Sequence, residues 1–167
     1  MAANPSVDTT GTETTLDLAC FETRGRVYGI DVLQIREIVR SRGMTPLPGA
    51  PGLIEGVIDL RGVVIPVVDL GRVLCAEPTA SGADHRIAVL EVGDMVLGLR
   101  VDAAVDVIAV DGSQVDEPPT LATRAGYDTV SQVVRRSDAP PVLVLSLEHL
   151  LERVYRSTLA SAGAEHE

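Results

Sequence analysis

Three histidines, two cysteines and a spread of carboxylates are the side chains here with the widest chemical range, and their spacing builds no active site. His85, His149 and His166 form no His-Glu-x-x-His arrangement, and Cys20 and Cys75 stand apart with no Cys-x-x-Cys. Two isolated cysteines make neither a disulfide framework nor a zinc site. His149 reads as flanking the apolar face of a helix, and His166 as part of a tail. Asp102, Asp106 and Asp111 are spaced as capping or solvated carboxylates, with no acid and base paired for proton transfer. There is no Gly-x-Ser-x-Gly elbow and no glycine-rich phosphate loop. Lysine is absent, since all 14 basic residues are arginine. That removes Schiff-base chemistry and the Walker-type phosphate loop. The chain is therefore expected to act by binding, with no catalysis, no metal and no cofactor.

Composition narrows what it binds. A net charge of −10 repels phosphate backbones, and no basic stripe with interleaved aromatics exists, so nucleic acid is not an expected partner. Hydrophobic residues make up 46% and aromatics 2%, so the core must be built from Val, Leu and Ile. Branched side chains of that kind fit a pleated surface. The longest apolar run, Val63 to Val68, is too short to cross a bilayer. Met1 to Thr15 lacks the basic start and apolar stretch of a signal peptide. A soluble, cytoplasmic protein without direct membrane insertion is the expectation.

The elements that would position a binding surface follow from periodicity. Leu16 to Phe21 alternates as a half-buried strand, and Val27 to Ile30 returns from a turn at Glu22 to Gly25. Asp31 can cap a short helical turn, followed by helical apolar spacing at Val32, Ile35, Ile38 and Val39. Pro46 to Gly52 is a rigid loop. Ile54 to Leu60 and Val63 to Val68 form a hairpin about Arg61-Gly62, and Pro66 demands an edge or a bulge. Asp69 can cap a helix through Leu74, and residues 77–84 read as a linker. Arg86 to Val92 and Met95 to Val101 form a hairpin about Gly93-Asp94. Asp102 to Val110, Val130 to Val134 and Val142 to Leu145 supply further apolar runs, and a polar loop with Pro118-Pro119 lies among them. Ser146 can cap a last helix with the face Leu147, Leu150, Leu151, Val154 and Thr158.

The two halves also match each other. Tyr28-Gly29-Ile30-Asp31-Val32 parallels Leu97-Gly98-Leu99-Arg100-Val101, and Pro66 to Leu74 parallels Leu143 to Leu151. Strands with short turns, twice over, predict two small antiparallel barrels or sandwiches.

Three blocks in fixed order carry a resemblance: Val27 to Ile38, Pro46 to Gly62 with its Leu-Arg-Gly, and Val63 to Leu70. Through them the chain resembles the CheW family of chemotaxis coupling proteins, with a weaker match out to about Arg156. The resemblance implies a mainly β fold of two five-stranded antiparallel, barrel-like (SH3-like) subdomains, with short helices and a C-terminal helix. The expected organisation is a flexible tail over 1–15, a CheW-like domain over 16–157 and a flexible tail over 158–167. Within the domain, the first subdomain spans about 24–84 and the second 85–145, with terminal elements crossing between them.

The resemblance also implies a role: a non-enzymatic adaptor that couples the cytoplasmic tips of methyl-accepting chemoreceptors to the regulatory domain of a CheA-type histidine kinase, recruited to receptor arrays. Two alternatives stay open: a same-fold adaptor in an array controlling pili or development, and a small-molecule binder using the groove between subdomains. Ile35, Glu37, Gly56 and Arg61 are the expected receptor-facing residues. Ile35 would be the apolar anchor, although its apolar spacing alone makes it a core residue by default; Gly56 would leave room for close approach, and Arg61 with Glu37 would set register. Read from residues alone, Arg61 at a hairpin tip is expected to pair with Asp59 or Glu55 or to be solvated, and the family's Arg-Gly is what points it to a partner. Val57, Val64 and Val67 are the expected kinase contacts.

Overall fold

The structure, a computed structural model, describes residues 15–41, 43–49, 53–75, 85–118 and 129–165. The linker expected at 77–84, His166 and almost all of the tail expected at 1–15 lie outside the described residues, as do the side chains of Cys75 and Thr158.

Eleven strands form two sheets among the described residues. In chain order they are β1 (Leu16–Thr23), β2 (Arg26–Asp31), β3 (Ile35–Arg40), β4 (Ile54–Leu60), β5 (Val63–Asp69), β6 (Arg86–Val92) and β7 (Met95–Val101). There follow β8 (Ala103–Val110), β9 (Val115–Asp116), β10 (Val130–Val134) and β11 (Val142–Leu145). Helices α1 (Leu70–Cys75) and α2 (Leu147–Glu165) complete the fold. One sheet has six strands in the order β9-β10-β11-β2-β1-β8, and the other five in the order β3-β6-β7-β5-β4.

The mainly β expectation agrees with this architecture, and three details differ. First, neither sheet is wholly antiparallel. β11 runs parallel to β2 through Leu143↔Tyr28 and Val144↔Gly29, and β5 runs parallel to β7 through Val67↔Gly98 and Val68↔Leu99. Second, the sheets do not divide near residue 84. The five-stranded sheet takes residues 35–101, and the six-stranded sheet takes 16–31 together with 103–145. The internal repeat explains this. Each matched half lends its opening hairpin strand to the other half's sheet, so Tyr28-Gly29 lies beside Leu143-Val144 while Gly98-Leu99 lies beside Val67-Val68. Third, neither ladder closes into a barrel. In the five-stranded sheet the edges still approach each other, because Thr45, just beyond β3, bridges to Val57 of β4.

Local chemistry accounts for other departures. The helical spacing after Asp31 yields only a 3₁₀ turn, Val32–Gln34, held by an Asp31 side chain that accepts from Leu33 N–H at 3.0 Å. Ile35, Ile38 and Val39 then enter β3, where branched side chains pair with β6. Helix α2 continues through Glu165, into the segment expected as a tail, where Ala160, Ala162 and Ala164 are strong helix formers. Pro66 sits where its missing N–H costs nothing to the parallel ladder, which starts at Val67.

One large core lies between the sheets. It joins Phe21, Tyr28 and Ile30 of one sheet to Leu90, Leu97 and Leu99 of the other, with Leu70 of α1 and Leu150 of α2. Each sheet also curls over a cluster of its own: Leu18, Val110, Val134 and Val142 in one, and Ile58, Ile65, Val67, Ile87 and Val89 in the other.

Candidate interaction site

The β4–β5 hairpin is built to present one face outward. Its register opposes Val57 to Pro66, Ile58 to Ile65 and Asp59 to Val64. Ile58 and Ile65 are buried, so the alternate pairs share the outer face. Val64 there is 64% exposed, and Val57 and Pro66 are half-buried. Val63, near the tip, is exposed as well. Val67 is 0% exposed and belongs to the inner cluster. The expected trio of valines therefore separates. Val57 and Val64 lie on an accessible face, and Val67 is a core residue, because positions 64 and 67 have opposite parity along the strand.

The hairpin tip turns through Arg61 and Gly62, at φ of 54° and 87°. A turn with both central residues left-handed matches the twist of paired strands, and glycine adopts it without strain. Asp59 closes the turn by accepting from Gly62 N–H at 2.8 Å. The left-handed turn sends Arg61 away from Asp59 and Glu55, the partners open to it from sequence. Its guanidinium instead grips Glu37 of β3 with two bonds of 2.6 and 2.7 Å. The hydrogen bond from Arg61 holds the Glu37 carboxyl below its ordinary range, and the same bond raises Arg61. This fork spans the gap between the edge strands, over a groove of about 520 Å³ lined by Val39, Arg40, Ile58 and Leu60.

The other two residues expected beside this pair sit differently. Ile35 is half-buried and packs against the main core. Gly56 is buried, and a Cβ there would meet the Thr45 carbonyl oxygen at 2.5 Å. The room left by Gly56 is filled by the chain's own Thr45, which exchanges two backbone hydrogen bonds of 2.9 Å with Val57. Glu37 and Arg61 are thus brought together, while Ile35 packs on the main core and Gly56 lies against Thr45. The sequence reading passed over Leu33, 92% exposed on the 3₁₀ turn before β3. It also passed over Val105 and Val107, exposed on the edge strand β8. The available signal for Leu33 was its place two residues after the capping Asp31, outside the apolar spacing of Val32, Ile35, Ile38 and Val39.

Glu55, the second candidate partner of Arg61, pairs instead with Arg100, which also reaches buried Asp69. Burial pulls the Arg100 guanidinium down, and the two carboxylates more than offset that and raise it. Cys20 is buried with a thiol pushed up by its burial, which disfavours the reactive thiolate. Among the described residues, no group of three or more His, Cys, Asp or Glu is placed to hold a metal ion, and no helix is long and apolar enough to cross a membrane. The arrangement offers an apolar strand face, a preset ion pair and exposed aliphatic residues, which suit contact with another protein.

The chain as a whole is similar to known proteins. A family model described as a CheW-like domain matches residues 17–154. The chain is 32% identical to the chemotaxis protein CheW of Treponema pallidum over 148 residues, 86% of each chain. It is 33% identical to chemotaxis protein CheW of Bacillus subtilis, over 71% of this chain and 76% of that one. Protein FrzA of Myxococcus xanthus is 26% identical, over 84% of this chain and 88% of its own. The crystal structure of scaffolding protein TtCheW from Thermoanaerobacter tengcongensis superposes with a TM-score of 0.73 at 28% identity, over 86% of this chain and 92% of that one.

Proposed function

The chain belongs to the CheW-like domain family, a family of chemotaxis adaptors, and from that premise we infer that it joins the regulatory domain of a CheA-type histidine kinase to the cytoplasmic tip of a chemoreceptor. It does so by binding both, without chemistry of its own, and it is recruited to receptor arrays by those contacts. The observation that carries the reading is the outer face of β4–β5, with Val64 exposed beside half-buried Val57 and Pro66, and Val63 exposed at the hairpin tip next to it. A face of this kind, fixed on a rigid hairpin, can supply the few apolar anchors that dominate a protein contact. We assign it to the kinase, in a contact of about 800 Å² per partner.

The receptor is assigned to the adjoining rim. There the Arg61–Glu37 fork presents charge in a fixed geometry, and Leu33 replaces Ile35 as the apolar anchor because Ile35 is turned to the core. Chemoreceptor tips are helical, so the contact is an amphipathic helix laid against this rim, with the charged pair setting register more than strength. The similarity to protein FrzA, whose name differs from that of the chemotaxis relatives, keeps an array with another output as a second reading of the same adaptor role. The test is NMR shift mapping on labelled chain titrated separately with a kinase regulatory domain and a receptor cytoplasmic fragment. The kinase footprint should centre on Val57, Val63 and Val64, and the receptor footprint on Leu33, Glu37 and Arg61. A kinase footprint confined to 103–145 defeats the assignment.

A further inference from the structure

A buried polar chain crosses the junction of the two sheets, apart from the surfaces assigned to partners. Its hub is Arg100 on β7, which forms two bonds of 2.8 Å with Glu55 of β4 and one of 3.1 Å with Asp69 of β5. Its remaining nitrogen, Nη1, lies 2.6 Å from Nδ1 of His85. His85 directly precedes β6 and is 8% exposed. On the far side of the ring, Nε2 faces Asp102 Oδ1 at 3.7 Å. Asp102 is the residue at which the chain leaves β7 in one sheet to enter β8 in the other. Its Oδ2 accepts from Arg24 N–H at 2.9 Å, and its own N–H donates to the Glu22 carbonyl at 2.9 Å. Those two partners frame the turn of the β1–β2 hairpin.

The imidazole therefore stands between a cation tied to the five-stranded sheet and a carboxylate tied to the six-stranded one. A guanidinium has donors only, so Nδ1 must accept and the ring proton belongs on Nε2, facing Asp102. Oδ1 of Asp102 is buried and has no hydrogen-bond partner, with the imidazole N–H just beyond bonding reach. The other charged group near His85, Arg86, donates to the His85 carbonyl at 3.1 Å.

We propose that His85 is a positioning residue, whose Nε2–H, directed by Arg100 at the buried, unpartnered Oδ1 of Asp102 3.7 Å away, closes onto it in solution and so ties the five-stranded sheet to the first hairpin of the six-stranded sheet. The joint adds a polar tie to the apolar core that already packs the two sheets together, and both surfaces of the adaptor reading lie on the five-stranded side of it. The geometric claim stands without any partner, and its test uses none.

Two measurements on the full chain decide it. Long-range ¹⁵N–¹H correlation of the histidine rings should show His85 as the Nε2–H tautomer, and the Nδ1–H tautomer overturns the proposal. Amide exchange is then compared in wild type, His85→Leu and His85→Gln. A carboxamide offers an acceptor and a donor on one carbon, as the imidazole does, so Gln can serve both contacts and Leu neither. In His85→Leu, exchange at Arg24 and Asp102 should rise about tenfold or more relative to amides of the β6–β7 ladder. In His85→Gln it should return to within about threefold of wild type. Equal exchange in all three proteins, or an equal rise in both variants, overturns the proposal, since a residue acting by bulk alone would not be rescued by an amide. If the Leu variant does not fold, the tautomer and the Gln variant carry the decision: wild-type exchange in the Gln variant supports the proposal, and a tenfold rise there overturns it.

Discussion

Replacing Gly56 with alanine should destabilise the chain through its own backbone rather than through a partner. The added Cβ would sit 2.5 Å from the Thr45 carbonyl oxygen, 3.1 Å from its carbonyl carbon and 3.0 Å from Met44 Cγ. Ordinary contact needs about 3.4 Å or more, and the nearest obstacle is backbone that cannot rotate away. Relief requires Thr45 to lift from β4, which weakens both 2.9 Å hydrogen bonds between Thr45 and Val57. Two such bonds contribute about 0.5–1.5 kcal/mol each, and overpacking adds about 1–3 kcal/mol. Partial relaxation shares these costs, so Gly56→Ala should lose about 2–4 kcal/mol. For a chain of this size that lowers Tm by about 2–4 °C per kcal/mol. Urea unfolding gives the stability, and amide exchange at Thr45 and Val57 reports whether the strap has opened. The reasoning fails if Gly56→Ala unfolds within about 0.5 kcal/mol of wild type with both amides still protected.

Four further changes separate surface from scaffold. Val64→Asp should leave stability within about 0.5 kcal/mol of wild type yet cost about 2 kcal/mol or more in affinity for the kinase regulatory domain, roughly thirtyfold in Kd by calorimetry. Val67→Ala should do the reverse, losing about 2–3 kcal/mol of stability in a denaturant melt because the side chain is wholly buried. Glu37, held low by Arg61, contributes stability that is full above the ordinary carboxylate range and lost as pH falls through its lowered value. Arg61→Ala should therefore move the Glu37 carboxyl titration upward in ¹³C NMR and weaken receptor binding while sparing kinase binding. Arg100→Leu should cost about 3 kcal/mol in a urea melt, since it leaves Asp69 at 1% exposure without its guanidinium.

Much of this surface was legible in local chemistry, and what was not depends on distance along the chain. Arg-Gly and Gly-Asp marked turns, and alternation marked the strands on either side, so both central hairpins were readable. Val32, Ile35, Ile38 and Val39 fit a helical face as well as a strand, and only the pairing of β3 with β6 decides between them. The opposite parity of Val64 and Val67 was visible in sequence and already forbade both from facing out. The partner of Arg61 was not visible. Asp59 and Glu55 are its sequence neighbours, whereas Glu37 lies 24 residues away and meets it only because the sheet curls. The exchange of hairpins between halves was hidden for a related reason. Val-rich strands match one another in pairs that the repeat makes nearly equivalent, and the shared core, rather than local propensity, selects which pairs form.

The central claim is that one molecule of this chain holds a kinase regulatory domain and a receptor tip at once, on adjoining but separate surfaces. Sedimentation velocity on a mixture of the chain, a CheA-type regulatory domain and a receptor cytoplasmic fragment measures this directly. The account predicts a ternary species containing all three, lost with Val64→Asp through release of the kinase domain alone and with Arg61→Ala through release of the receptor fragment alone. Binary complexes that exclude one another, with the kinase domain displacing the receptor fragment from the chain, would contradict it.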